Sequence, residues 1–311
     1  MKSVLVAGEI NVDLVLHGYT EFPSPGREVL VEDFQSVLGS ASAICAMGLA
    51  RLGTPVAFLG KVGDDAWGRF CLDAMRGRGI DVSRVVADPA LRTGVTVAIS
   101  SPRDRALLSF LGSIAALTGT DVTDAALAAH QHLHVSSYYL QQGLRPGLPE
   151  LMRRAHRLGL TTSLDPGGDP SQRWTDGLFE TLAEVDLFFP NEVELAGITG
   201  CADVAPALAR LQNGRTRVVA KLGGRGVTTL EAGSLVALAA PRIEPVDTTG
   251  AGDSFDAGFL HAWLGGETLL ACLQLGSACG ALSTRGLGGT ARQPSLAEAR
   301  EFLAGAGGAW A

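Results

Sequence analysis

The sequence predicts an α/β fold: a mostly parallel sheet covered by helices on both faces, with a small β-sheet as a lid. Three observations predict it. From residue 121 to residue 221, helical stretches alternate with short apolar strand runs, the pattern of a parallel sheet buried on both sides. Two stretches, about 14–36 and 92–112, show no helical period and stand outside that alternation, so they are assigned together to the lid. The 311 residues, 46% apolar and 18% charged, supply ample core for one α/β domain over 1–311.

The elements follow in order. Val4–Ala7 is a buried-strand run ending in Gly8, and Val29–Phe34 is a possible strand. Small and apolar residues from Ser42 to Arg51 form a helix stopped by Gly53. Val56–Leu59 is the next strand, and 66–78 the next helix. Thr93–Ser100 and Ala106–Leu111 alternate around Pro102-Arg103-Asp104, as a hairpin does. Then come helix 121–130, strand 132–137, helix 146–158, strand 160–164, helix 175–183, strand 185–189, helices 191–197 and 203–213, and strand 216–221. Asp13, Asp165, Asn191 and Asp253 all follow strand-like runs. They are therefore expected at one sheet edge, where such folds bind ligands.

A net charge of −7 argues against general nucleic-acid binding, which needs an excess of Lys and Arg. The five cysteines are widely spaced without a C-x-x-C pair and read as buried thiols in a reducing cytosol. There is no signal-peptide pattern and no apolar run of membrane-spanning length, so a cytoplasmic protein without a membrane partner is expected.

The segment Asp247-Thr248-Thr249-Gly250-Ala251-Gly252-Asp253 carries the chemistry. It opens a helix whose Phe255, Phe259 and Trp263 recur at spacing four. Glycines let the backbone approach a ligand. The first turn of a helix offers N–H groups and a positive dipole end. Together they make an anion site, most simply for phosphate, with Asp253 beside it. Taken alone, Asp253 reads equally as a cap or a dipole residue.

Several motifs together resemble the ribokinase-like (PfkB) carbohydrate kinases over almost the full length. These are Gly8-Glu9-Ile10-Asn11-Val12-Asp13, Leu59-Gly60-Lys61-Val62-Gly63-Asp64-Asp65, Asn191-Glu192-Val193-Glu194, Lys221-Leu222-Gly223-Gly224-Arg225-Gly226 and Asp247–Asp253. The resemblance implies ATP-dependent phosphorylation of a hydroxyl on a sugar or sugar-like molecule. Asp253 would accept the hydroxyl proton, and Gly250, Ala251, Gly252 and the Asp253 backbone would form the anion hole. An ordinary Asp, with a pKa of about 3.9, is a weak base and need only take a proton that becomes acidic late in transfer.

Asn11, Asp13, Gly39 and Ser40 are implied as acceptor contacts. Asn191, Lys221, Gly223, Gly226, Thr248 and Ser277 are implied on the nucleotide side. Glu194 would organise Mg²⁺ through water, and Asp247 and Thr249 match positions that bind a monovalent cation such as K⁺ in some relatives. Asn191 and Glu194 read equally well as a capping box. A homodimer through the lid is also implied.

The chain departs from the family at the acceptor. Ile44, or Ala43, stands where relatives carry a sugar-contacting Asn. Asp165-Pro166-Gly167 replaces Asp-Pro-Asn, and Ser277 replaces an adenine-side Asn. Arg92, Arg103 and Arg105 in the lid read as exposed charge or as readers of an acidic acceptor. His132 and His134 share one strand face and read as structural. The competing functions are a nucleoside kinase, a non-catalytic sugar or nucleotide sensor, and a dinucleotide-dependent dehydrogenase. The last would need G-x-G-x-x-G after the first strand, where this chain has Gly8-Glu9-Ile10-Asn11.

Overall fold

The computed structural model describes residues 2–19, 21–100 and 105–305, without the side chains of residues 100 and 105. The expected turn at Pro102–Asp104, with Arg103, and the side chain of Arg105 therefore lie outside the described residues.

Nine strands form the main sheet. In chain order they are β1 (Val4–Ala7), β4 (Val56–Gly63), β5 (Asp81–Asp88), β8 (His132–Val135), β9 (Thr161–Leu164), β10 (Leu187–Phe188), β11 (Arg217–Lys221), β12 (Val227–Glu231) and β13 (Ser234–Leu238). Their spatial order is β13-β12-β11-β10-β9-β8-β1-β4-β5. All neighbours run parallel except β11–β12 and β12–β13.

The strands read as continuous apolar runs because each face has its own core. On one face Val4, Val6, Val56, Phe58 and Val219 pack with α1 (Ala41–Arg51), α2 (Ala66–Gly77), α8 (Ala251–Leu264), α9 (Leu269–Ser283) and α10 (Leu296–Gly305). On the other, Leu5, Ala7, Ala57, Leu59, Val218 and Ala220 pack with α3 (Asp124–Ala128), α4 (Leu148–Arg157), α5 (Leu178–Leu182), α6 (Glu192–Thr199) and α7 (Val204–Arg210). Odd and even strand positions feed opposite cores, as the two-residue period requires.

The second sheet has order β3-β2-β6-β7, from β2 (Asn11–His17), β3 (Asp33–Leu38), β6 (Gly94–Ser100) and β7 (Arg105–Phe110). This is the lid. Asp13 lies within β2, not after a main-sheet strand as the sequence reading had it.

Other elements shift for physical reasons. The strand looked for at Val29–Phe34 forms at Asp33–Leu38, where it pairs with β2. The helix expected over 175–183 begins only at Leu178, because Trp174, Asp176 and Gly177 have φ of 60°, 49° and 82°. The edge strand β5 was not foreseen: Asp81, Ser83, Arg84 and Asp88 give it a polar cast, and only Val82 is fully buried. The β12–β13 hairpin turns on Ala232 and Gly233, both at positive φ. That is the turn geometry favoured between twisted strands, and alanine gives little sign of it.

Candidate active site

The carboxyl ends of β9, β10 and β11, three adjacent parallel strands, deliver Asp165, Asn191 and Lys221 to one edge. Asn191 and Lys221 are joined there by a parallel bridge. The glycine turn before α8 arrives at the same place. Gly250 is its N-cap residue at φ 70°, a conformation suited to glycine, and it offers no side chain to the first-turn N–H groups. A Cβ on Gly250 would stand 2.7 Å from Gly289 Cα and 3.0 Å from Ile44 Cγ2. Asp253 lies in the first turn and is not the cap. Gly250 to Asp253 are all half-buried, open on one side to solvent.

Beneath this turn lies a cluster of charge. Carboxylate oxygens of Asp165, Asp253 and Asp256 come within 4.8 Å of one another. Lys221 Nζ donates to Asp165 Oδ2 at 2.6 Å and to both Asp256 oxygens at 3.1 and 3.2 Å. Burial works to lower the affinity of Lys221 for its proton, but the charges of Asp165 and Asp256 hold it above the ordinary lysine range. Burial likewise opposes ionisation of Asp165, and the Lys221 ammonium overcomes it, keeping that carboxyl low. Burial pushes Asp256 well above the usual carboxylate range.

Asp256 had no place in the sequence reading. Its signal was a charged residue between Phe255 and Ala257 on a helix whose other face is also buried. The sequence placed Lys221 with the nucleotide loop; the structure turns its ammonium toward the carboxylates.

Asn191 and Glu194 form a full capping box on α6: Asn191 N donates to Glu194 Oε2 at 2.8 Å, and Glu194 N to Asn191 Oδ1 at 2.9 Å. Burial, with the charge of Asp165, pushes the Glu194 carboxyl up to about 8. A divalent cation near this buried carboxyl and Asp165 would supply compensating positive charge.

Of the other residues expected on the nucleotide side, Gly223 and Gly226 shape the β11–β12 loop at φ 57° and 101°. A Cβ on Gly226 would fall 2.0 Å from Leu238 O, so this glycine serves close backbone packing. Thr248 is exposed, its carbonyl accepting from Ala251 N, and Ser277 is buried within α9. Asp247 accepts from Thr249 N and Oγ1 at 2.9 and 2.7 Å and from Gly288 N at 2.8 Å.

The residues expected at the acceptor gather on and beside the lid sheet. Asn11 Nδ2 donates to Asp13 Oδ1 at 2.8 Å and to Thr96 Oγ1 at 3.2 Å. A Cβ on Gly39 would lie 2.1 Å from Asp13 Oδ1, so Gly39 makes room for that carboxylate. Ser40, at φ 76°, caps α1 through Ala43 N and donates to Glu9 O. Glu9, also missed from sequence, is buried and accepts from Ser42 N and Oγ.

Ile44 is buried against Gly250 and Gly289. Ile44, one of the two positions where the resemblance implied a polar contact, is thus an apolar support for the glycine turn. Gly167 sits at φ 60°, and a Cβ there would stand 3.0 Å from Ser137 Cα. Arg92 covers the Phe110 ring at 5.3 Å.

A lidded parallel sheet with an uncapped glycine turn and an acidic residue at the strand ends defines the class of small-molecule phosphotransferases. The comparisons place the chain within that class. Residues 1–296 match the pfkB family carbohydrate kinase model, and the chain belongs to that family of ATP-dependent carbohydrate kinases. It is 29% identical to a ribokinase of Haemophilus influenzae, over 97% of this chain and 98% of that one. It is 34% identical to a fructokinase of Klebsiella pneumoniae, over 82% and 88%. The structure of Arabidopsis thaliana ribokinase complexed with ribose and ATP superposes with a TM-score of 0.82 at 23% identity, covering 97% of this chain and 98% of that one.

Proposed function

We propose that the protein transfers the terminal phosphoryl group of ATP to a hydroxyl of a sugar or sugar-like molecule, with Asp253 as base. The observation that carries this is the uncapped turn: Gly250 presents the first-turn N–H groups of α8 without a competing side chain, beside the Asp253 carboxylate. The hydroxyl proton passes to Asp253 as the oxygen attacks phosphorus. Charge growing on the phosphoryl oxygens meets the N–H groups of Gly250–Asp253. The acceptor is held by Asn11 and Asp13, with Gly39 and Ser40 setting the backbone beside it. Closure of the lid excludes water and limits hydrolysis.

Asn191, Gly223, Gly226, Thr248 and Ser277 line the nucleotide side. Mg²⁺, held through water by Glu194, would supply positive charge to the phosphates. Asp247 and Thr249 are the place for K⁺. Phe34, Leu108 and Phe110 are exposed on one face of the lid. An apolar surface of this kind supports a homodimer through that sheet. No helix among the described residues is long and apolar enough to cross a membrane, and all five cysteines are free, which suits a cytoplasmic enzyme.

The test is ADP release from ATP·Mg²⁺ with D-ribose, D-fructose, D-gluconate, D-ribose 5-phosphate and adenosine, by wild type and Asp253→Asn. Release that requires one acceptor and falls about 10²–10⁴-fold in the variant is expected. Adenosine as the sole acceptor would make it a nucleoside kinase. Ligand binding without turnover on any acceptor would make it a sensor.

A further inference from the structure

Lys221 runs directly beneath the anion turn. A Cβ on Gly252 would stand 3.3 Å from its Nζ, and the Lys221, Asp165 and Asp256 side chains are only 11%, 6% and 0% exposed. An ammonium has three donors. Here they face one oxygen of Asp165 and two of Asp256, so no donor is left to read a phosphate. Asp253 belongs to the same group of carboxylates. Like charges this close favour protonation of one another, and a cation among them favours ionisation. Lys221 is the cation that the chain itself brings to the group, fixed by β11 on one side and joined to α8 through Asp256 on the other.

We propose that Lys221 is a positioning residue for phosphoryl transfer: clamped between Asp165 and Asp256, it fixes the first turn of α8 under the transferred group and keeps Asp253 in its anionic form. This rests on Asp253 being the base. The groups around Asp253 include Asp165 after β9, Lys221 at the end of β11, Glu194 on α6 and Cys45 on α1, with Asp256 one turn further along α8. Lys221 is the cation among these.

The experiment compares wild type, Lys221→Met, Lys221→Met/Asp165→Asn and Asp253→Asn, using whichever panel acceptor turns over fastest. Lys221→Met keeps most of the unbranched side chain and removes its charge. Its kcat is expected to fall about 10²-fold while KM for ATP changes less than about threefold, the mark of an interaction made in the transition state. The acid limb of its kcat profile moves up by about one pH unit, since a nearby cation has been lost. Lys221→Met/Asp165→Asn removes one charge of each sign, so its acid limb returns toward wild type while kcat stays low.

Carboxyl ¹³C NMR of Asp-labelled protein, with Asp253→Asn assigning the resonance, reads the ionisation of Asp253 without any acceptor. It applies to the double variant if Lys221→Met alone does not fold. An unchanged kcat and unchanged Asp253 titration in Lys221→Met overturns the proposal. So does a rise in KM for ATP alone, which would make Lys221 a nucleotide contact. Turnover surviving in Asp253→Asn instead overturns the base assignment, whatever the lysine variants do.

Discussion

At the scale of single residues, the glycine turn before α8 is constrained by contacts that have nothing to do with phosphate. Gly250 combines a left-handed φ of 70° with Gly289 backbone 2.7 Å from where a Cβ would go. Gly53, at φ 91°, has open space around the same position. Gly53→Ala should therefore cost only the conformational term, about 1–2 kcal/mol, with kcat unchanged. Gly250→Ala should cost more than that in urea unfolding and should lower kcat, because the clash falls on backbone that cannot rotate away. Equal losses of stability in the two variants would show that the Gly289 contact yields freely. The turn was legible in the sequence because only glycine satisfies these demands. The reason for Ile44 was not, since it depends on Gly250 and Gly289, which lie more than two hundred positions away.

At the scale of elements, α6 shows how one pair of side chains can carry two readings. The reciprocal bonds between Asn191 and Glu194 make the cap a fact of the fold. Asn191→Ala should lower stability by about 1 kcal/mol, measured by denaturant unfolding with and without Mg²⁺. If the cap is the whole role of Asn191, the stabilisation given by Mg²⁺ is the same in variant and wild type. A smaller Mg²⁺ stabilisation in the variant would add a part in organising the metal. The sequence announced this helix start by its spacing alone, just as apolar runs announced the central strands. Elements at the margins were hidden for the converse reason: β5 alternates weakly because it is an edge, and the β12–β13 turn uses an alanine. The ion cluster was hidden as well. Lys221, Asp165 and Asp256 come from β11, the end of β9 and α8, and only the strand order brings them together.

At the scale of the whole molecule, a polar row crosses an otherwise apolar sheet face. His132 and His134 stand in register with Val4 and Val6, and His132 meets the Trp263 ring edge-on at 5.7 Å. Their four ring nitrogens are all engaged by hydroxyls: Thr161 and Ser163 for His132, Ser163 and Ser136 for His134, at 2.7–2.9 Å. That leaves none for a metal and bears out the structural reading of H-x-H.

Burial holds His134 down to about 4, and burial together with His134 holds His132 well below the ordinary histidine value. The unfolded chain takes up these protons near pH 6.5, while the folded chain refuses that of His134 until about pH 4 and holds that of His132 off well below the ordinary histidine range. The contribution to stability is thus complete above about pH 6.5 and is lost as pH falls toward 4. Glu9 and Glu194, whose carboxyls are raised by burial, act with the opposite sign, favouring the folded state at lower pH. The readout is therefore the difference between two proteins rather than one curve. His134→Gln should be less stable than wild type at pH 7.5, because the row is broken. It should then lose less in melting temperature than wild type between pH 6.5 and pH 4, since one titrating group is gone. Parallel curves over that window would mean that the row is held by its hydrogen bonds alone and that its neutrality adds nothing to the pH dependence of the fold.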